Sequence, residues 1–349
     1  MKKIFLLLPL ALLASCKQNT AYTASVTRVI CDTLLADDIS IRALVIDGDK
    51  VWYAGSRGKY GYVSLSGQKA FSGIMAQDTL FPEFRAIAKT KHHILILNAG
   101  TPALLYKITK DGSRNKVVYT ETGEKVFYDS MLFLDDKEGI AMGDPVEGCL
   151  SVIKTTDGGE SWAKLPCTSL PATDSGEAAF AASNTNIDIA GNTIWMVSGG
   201  KKSRVFVSKD KGESWQAYNT PIIQGTESTG IYSVDFYDAK TGYAVGGDYT
   251  RTKEGRATKI STRDGGRTWK AVAEDAGFGY ASCVRYRPGS LGRELISAGP
   301  SGIYYSFDGG ATWKRIYNDT SLHTVLFTDS KTVVAAGNGK ILRLRLVTL

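Results

Sequence analysis

Short runs of apolar residues separated by polar turns follow one another along most of the chain. Typical runs occupy residues 130–134, 139–143 and 150–154, and a similar set occupies 232–236 and 242–246. Turns rich in glycine and aspartate separate them, and helical periodicity is hard to find after the first sixteen residues. Strands of this length between such turns are typical of an all-β protein.

A polar octet recurs four times at the ends of such runs. It reads TTDGGESW at 155–162, SKDKGESW at 208–215, TRDGGRTW at 262–269 and SFDGGATW at 306–313. Its aspartates are 53, 54 and 44 residues apart, the period expected of propeller blades. We predict a structural role in which the aspartate accepts backbone hydrogen bonds within its own turn and the tryptophan begins the next strand. The residues concerned are Asp157, Trp162, Asp210, Trp215, Asp264, Trp269, Asp308 and Trp313.

Four-stranded units that repeat in this way close into a β-propeller. We predict seven blades, six of them over residues 38–70, 82–120, 126–166, 178–219, 229–273 and 279–317. The seventh has three strands at 323–327, 332–336 and 340–346, and residues 25–31 can supply its missing outer strand. This prediction is a single-domain, seven-bladed β-propeller over residues 25–349, closed by an N-terminal strand that completes the last blade and pairs its exposed edge.

The first sixteen residues, MKKIFLLLPLALLASC, have the basic start and apolar centre of a secretory signal. Their end resembles the bacterial lipobox, which implies a lipidated Cys16 and a tether over 17–24; an ordinary signal peptide is the alternative. Lys17 stands where some bacteria read an aspartate as an inner-membrane retention signal. We therefore expect a cell-envelope lipoprotein held in the outer membrane and facing the periplasm, with surface exposure left open.

The net charge of +7 is scattered, which does not favour a nucleic-acid partner. The three histidines are not grouped and no CxxC pair is present, so we predict neither a metal nor a cofactor. We expect a monomer. Cys149 and Cys167 flank the first octet symmetrically, so a hairpin there would allow a disulfide between them, although the register is open.

In this topology the octets lie at the end of the propeller opposite the usual binding face, which is built by the loops after the second strands and by the links between blades. Loops of this kind often serve binding. The candidate binding residues of this axial funnel are Arg57, Arg85, Asp144, Glu177, Asp248, Tyr249 and Arg251.

The octets resemble the Asp-box (BNR) repeat. The pattern F-x-D-x-x-x-G-x-A-x-G at 133–143 and 236–246, followed by an Asp box, is similar to the photosystem II stability/assembly factor-like propellers. Residues 143–145, 176–183 and 246–249 look like a secreted bacterial subfamily often labelled oxidoreductase or glycosyl hydrolase. The resemblance implies a lipid-anchored, non-catalytic scaffold that binds an envelope protein.

A more distant resemblance gives the alternative, an exo-acting glycoside hydrolase of sialidase type or a glycan-binding propeller. Residues 84–87, FRAI, are similar to the sialidase F/Y-R-I-P motif, but the proline is absent. The resemblance implies that Arg85 begins an arginine clamp, with Tyr249 as nucleophile and Glu177 as its partner. Three other arginines are available to complete the clamp: Arg204, Arg251 and Arg256.

Overall fold

The computed structural model describes residues 26–348, and the signal-like segment with Cys16 lies outside them. The described chain is all-β, with 28 strands and one short 3-10 turn at Cys167–Ser169. The strands are β1 (Val26–Asp47), β2 (Lys50–Gly55), β3 (Lys59–Ser64), β4 (Ala70–Ile74), β5 (Phe84–Lys89), β6 (His93–Asn98), β7 (Ala103–Thr109), β8 (Asn115–Glu121), β9 (Tyr128–Phe133), β10 (Gly139–Val146), β11 (Cys149–Thr155), β12 (Ala163–Lys164), β13 (Glu177–Ala178), β14 (Ile187–Ala190), β15 (Thr193–Val197), β16 (Gly199–Gly200), β17 (Arg204–Ser208), β18 (Gln216–Asn219), β19 (Thr229–Phe236), β20 (Gly242–Asp248), β21 (Lys259–Thr262), β22 (Lys270–Ala271), β23 (Cys283–Tyr286), β24 (Leu295–Gly299), β25 (Gly302–Ser306), β26 (Lys314–Tyr317), β27 (Leu322–Phe327) and β28 (Thr332–Thr348).

The strands pair into six antiparallel sheets, which are the blades of a β-propeller. Four sheets have four strands: β5 to β8, β9 to β12, β14 with β15, β17 and β18, and β23 to β26. One six-stranded sheet contains β19 to β22 with the short strands β13 and β16, and the other has the order β27-β28-β1-β2-β3-β4. The apolar cores lie between neighbouring sheets, as where β5 and β6 pack against β9 and β10.

The expected seven blades are wrong. Strand β1 runs for 22 residues without a glycine or proline, and its register shifts do not end the strand. Its first part pairs with β28 and its last part, from Ile41 onward, pairs with β2. The segments assigned to the first and last blades are therefore one continuous sheet, and the described chain has six sheets.

The N-terminal strand does close the ring. Val29 lies opposite Leu346 and Cys31 opposite Leu344, so the start of the described chain is hydrogen-bonded to its end. Val26, Leu344 and Leu346 are buried in one cluster with the neighbouring sheet. Both termini of the domain are thus held by sheet pairing and by burial of apolar surface.

The Asp boxes form compact turns at one end of the sheets. Asp157 Oδ1 accepts hydrogen bonds from the backbone N–H groups of Glu160 (2.9 Å) and Ser161 (3.0 Å). Gly159 has a φ of +78°, and a Cβ there would lie 2.5 Å from Leu95. The Gly158 N–H donates to the Lys137 carbonyl, 2.9 Å away, in the turn between β9 and β10. Each box therefore ties the outer hairpin of its blade to the inner one.

The same arrangement recurs in the later blades. Gly265 donates to the carbonyl of Lys240 and Gly309 to that of Arg293. Trp269 Nε1 donates to the Gly266 carbonyl, 3.0 Å away, and its ring is buried against the edge of Phe236. The structural role predicted for the octets agrees with these contacts. Cys149 and Cys167 form a disulfide with a Cα–Cα distance of 5.5 Å.

Replacing Asp157 with alanine removes the acceptor for two backbone N–H groups and two hydroxyl groups. Because water reaches this turn, we expect the variant to lose about 1 kcal/mol of unfolding free energy, measured by urea denaturation. Its hydrogen bonds hold the pKa of Asp157 below its usual value against the opposing effect of burial, so the stabilisation is present above the unfolded pKa and is lost as the pH falls.

The difference between wild type and Asp157→Ala should therefore shrink below about pH 4. The control is Lys209→Ala, which changes an exposed position of another Asp box. Equal stability of the two variants at pH 7 would contradict the structural role of the aspartate.

Candidate functional site: an axial cavity

A cavity of about 670 Å³ lies on the propeller axis, at the end of the sheets opposite the Asp boxes. Seven strands from the six sheets surround the axis, because the sheet that joins the chain ends contributes two of them. In order of contact these innermost strands are β1, β5, β9, β14, β19, β23 and β27. The cavity lies at one end of this ring of strands. Its lining residues are Arg42, Arg85, Phe127, Asp144, Ala178, Ala179, Phe180, Ala181, Ala182, Tyr232, Tyr249, Thr252, Tyr280, Ser282, Pro300, Thr320 and His323.

A β-bulge occurs at the cavity end of five innermost strands. In each case the strand register shifts by one residue, and the residue left out of the ladder is Arg42, Arg85, Asp129, Tyr232 or His323. A bulge frees one residue from regular pairing and turns its side chain in a new direction. Four of the five side chains line the cavity, so the bulges place polar and aromatic groups on the axis.

Arg42 and Arg85 are the cationic groups of the cavity. Arg42 Nη1 donates to the Ala182 carbonyl (3.2 Å) and Arg85 Nη1 to the Ala181 carbonyl (3.5 Å). Within residues 26–348 neither arginine forms an ion pair, and Arg42 Nε is buried without a hydrogen bond. Burial, and then the charge of Arg85, lowers the pKa of Arg42 to about 10, so both arginines stay cationic at neutral pH.

Aromatic rings form one wall of the cavity. The rings of Phe180 and Tyr232 are stacked, with centroids 4.0 Å apart and planes within 5° of parallel. Tyr280 meets the Tyr232 ring edge-on at 4.8 Å, and Tyr249 does so at 6.4 Å. Tyr249 is 53 % exposed at the mouth, whereas Tyr280 is buried. The wall offers flat apolar surface to any ligand that reaches the arginines.

Asp144 lines the cavity, and the carboxyl groups of Glu83 and Asp129 act electrostatically on Arg85 without forming an ion pair with it. Asp144 Oδ1 accepts a hydrogen bond from the Ala179 N–H at 2.7 Å, and burial raises the pKa of Asp144. Asp129 is fully buried and neither of its carboxyl oxygens has a hydrogen-bond partner. Burial, then the charge of Asp144, raises the pKa of Asp129 well above its usual value, although Arg85 opposes this.

His323 adds no positive charge at neutral pH. Burial, then the charge of Arg42, lowers its pKa to about 4, and its Nε2 lies 3.1 Å from Asn338 Oδ1. The imidazole is therefore neutral at pH 7. The arginines therefore carry the positive charge of the cavity. Because burial raises the pKa of Asp129 and Asp144, these carboxyl groups balance that positive charge less than fully ionised carboxylates would.

The structure brings three of the sequence candidates into the axial cavity, namely Arg85, Asp144 and Tyr249. The other four do not line it. Arg57 is exposed and pairs with Asp38 at 2.7 Å, and Arg251 pairs with Asp248 at 3.0 Å.

The fourth, Glu177, has a fully buried side chain that pairs with Arg204 at 2.5 Å. It also accepts a hydrogen bond from Ser198. Burial tends to raise the pKa of Asp248, but hydrogen bonds from Thr250 and Arg251 outweigh it and hold that pKa well below its usual value. These two carboxylates are satisfied within the protein and are less available to a ligand.

Sequence analysis missed Arg42, Tyr232, Tyr280 and His323. One signal could have found three of them: at the same place in successive repeats, a large side chain precedes a small or hydroxyl-bearing one. The pairs are Arg42-Ala43, Arg85-Ala86, Asp129-Ser130, Tyr232-Ser233 and His323-Thr324. Tyr280 has no such signal, because it belongs to a link between sheets.

The side chains required for sialidase chemistry are engaged elsewhere. Arg204 binds Glu177, Arg251 binds Asp248 and Glu254, and Arg256 is exposed. The cavity brings Arg85 together with Arg42 instead, and Glu177 is held by Arg204 rather than placed to activate Tyr249. Over residues 26–348 no group of histidine, cysteine or carboxylate side chains has the geometry for a metal ion. No helix in this part of the chain has the length and apolarity to span a bilayer.

Comparison with known proteins agrees with the fold. The BNR/Asp-box repeat family matches residues 304–315, which contain the last octet. A structure described as YCF48 bound to D1 peptide has a TM-score of 0.63 at 14 % identity, covering 93 % of this chain and 98 % of that one. YCF48 from Cyanidioschyzon merolae has a TM-score of 0.65 at 14 % identity, covering 90 % and 98 %.

A GH74 xyloglucanase from Xanthomonas campestris has a TM-score of 0.63 at 13 % identity, covering 91 % of this chain and 54 % of that one. No curated protein matches the sequence. Since these structures share so little sequence with the chain, they establish the β-propeller fold, and the function has to be argued from the site.

Because Arg42 has no ion-pair partner in the described chain, its replacement should not destabilise the protein as the loss of a paired arginine would. Replacing Arg42 with methionine removes a desolvated charge that no carboxylate balances, so we expect unfolding free energy to stay equal or to rise by about 1 kcal/mol. Arg285 provides the control, because it forms a buried ion pair with Asp235 at 2.7 Å. Arg285→Met should lower the unfolding free energy by about 3 kcal/mol. Comparable losses in both variants, measured by urea denaturation, would show that Arg42 is structural.

Proposed function

We propose that the chain is a lipid-anchored, non-catalytic β-propeller that binds an extended segment of an envelope protein in its axial cavity. The observation that carries the proposal is the pair of half-buried arginines without ion-pair partners in the described chain, beside an aromatic wall. Holding desolvated like charges together costs free energy. A ligand that balances the charges would recover that cost, so the arrangement is typical of a binding site.

The size and position of the cavity support this function. A volume of about 670 Å³ is within the range of pockets that hold short peptides or other ligands of similar size. The mouth is bordered by loops and links between sheets, where binding residues are commonly found. The YCF48 structure described as bound to D1 peptide has the same general fold, which makes a peptide segment a reasonable ligand here.

Attachment to the envelope belongs to the same proposal. The sequence of residues 1–16 favours lipidation at Cys16, and residues 17–24 would tether the propeller to the membrane. We propose the outer membrane and the periplasmic side as its location. A propeller held there by lipid would present its cavity to neighbouring envelope proteins while they assemble.

Site-specific photo-crosslinking in the native envelope tests the binding function. A photoreactive phenylalanine analogue at Tyr249, which is exposed at the cavity mouth, should yield a discrete crosslinked product. The same analogue at Lys209, an exposed Asp-box position at the opposite end, should not yield that product. The measurement is the shift in mass of the tagged chain after illumination, followed by peptide mass spectrometry of the attached species.

Equal labelling at both positions, or no product at Tyr249, would contradict the proposed function. A product whose added mass is removed by glycosidases and not by proteases would replace the protein partner with a glycan. This outcome would favour the glycan-binding alternative.

A further inference from the structure

We propose that the axial cavity recognises a carboxylate group, which Arg42 and Arg85 clamp while the apolar group next to it packs on the aromatic wall. The inference deepens the proposed function by naming the chemical group that is recognised. It depends on the proposed function in one respect, namely that the bound carboxylate belongs to a segment of a protein.

The backbone orients both arginines toward a common ligand. They come from equivalent bulges on β1 and β5, which are adjacent around the axis. One nitrogen of each is held by the carbonyls of the consecutive residues Ala182 and Ala181. Because a guanidinium has five N–H donors and each arginine uses one for a backbone carbonyl, other donors of each arginine remain available.

These donors suit a planar anion. A guanidinium offers a rigid fork that binds the two oxygens of a carboxylate through parallel hydrogen bonds. Two such forks with no competing ion pair in the described chain would strongly favour an anion and disfavour a cation. Because both arginines are partly buried, the attraction is greater than it would be on the surface.

The buried carboxyl groups near the arginines compete only weakly with a bound carboxylate. Asp129 interacts electrostatically with Arg85 and with Asp144, and burial raises the pKa of both carboxyl groups, which disfavours their charged forms. His323 is neutral and contributes no further positive charge. The two guanidinium groups therefore remain available to the carboxylate of a ligand.

The aromatic wall adds the second element of recognition. Phe180, Tyr232 and Tyr280 pack closely against one another and line the same cavity as the arginines. An aromatic or aliphatic group attached to the carboxylate can therefore be buried while the charge is bound. Either a free C-terminus after an apolar residue or an acidic side chain next to one presents this combination.

Isothermal titration calorimetry with matched small ligands tests the inference on the full chain. N-acetylphenylalanine carries the carboxylate, and N-acetylphenylalaninamide is the same molecule without the charge. We expect the acid to bind roughly tenfold or more tightly than the amide, because a charge-assisted hydrogen bond is lost in the amide. Acetyl-Phe-Asp-amide, whose only carboxylate is on the side chain, distinguishes an acidic side chain from a free C-terminus as the source.

The variants Arg42→Gln and Arg85→Gln should each reduce the affinity for the acid more than the affinity for the amide, and so lower the preference for the acid. Arg114→Gln changes an exposed arginine at the Asp-box end and should preserve the preference. Circular dichroism of each variant verifies that the propeller is folded.

Equal affinity for acid and amide, or a preference that survives in both arginine variants, would overturn the inference. So would the absence of saturable acid binding up to about 10 mM. The result is separable from crosslinking at Tyr249. Acid binding without a crosslinked protein would contradict the protein-partner function and support the carboxylate site. A crosslinked protein without a preference for the acid would support the protein-partner function and contradict the carboxylate site.

Discussion

The pairing of β1 with β28 is the constraint on which the rest of the structure depends. It joins the two ends of the described domain in one sheet and closes the ring, so that the strand edge at the chain termini is paired. Closure fixes the arrangement of the innermost strands around the axis. The cavity lies where those strands meet at one end of the axis, and the side chains found there depend on the bulges at those positions.

The two ends of the propeller have different physical roles. At one end the Asp-box aspartates accept hydrogen bonds within their own turns, and residues such as Trp269 bury large apolar area between blades. At the other end polar groups are left without protein partners, as with Arg42 Nε and the Asp129 carboxyl group. Unsatisfied buried groups are rare in stable proteins, and the two that lie at or beside the axial cavity, Arg42 Nε and the Asp129 carboxyl group, are a physical argument for function there.

The part of the architecture that could be predicted from the sequence is the part determined by local interactions. The Asp box was recognisable because its hydrogen bonds join residues within eight positions of one another, such as Thr155, Asp157 and Ser161. Arg85, Asp144 and Tyr249 were found because they are polar or aromatic residues near loops and strand starts. The propeller fold followed from the period of these features.

The remaining features depend on contacts between distant parts of the chain. The number of sheets depends on how far β1 continues between β28 and β2, which the spacing of repeats does not reveal. Arg42 was missed because a bulge in β1 brings it to the axis. Glu177 looked available in the sequence because its partner, Arg204, lies 27 residues away.

The central claim is that the bulge arginines, and not the Asp boxes, form the binding site. A crystal structure determined with N-acetylphenylalanine tests it most directly. We predict density in the axial cavity, with the carboxylate oxygens about 2.7–2.9 Å from nitrogens of Arg42 and Arg85 and the phenyl ring against Tyr232. Ligand density at the Asp-box turns, or an axial cavity that stays free of the ligand at saturating concentration, would contradict the account.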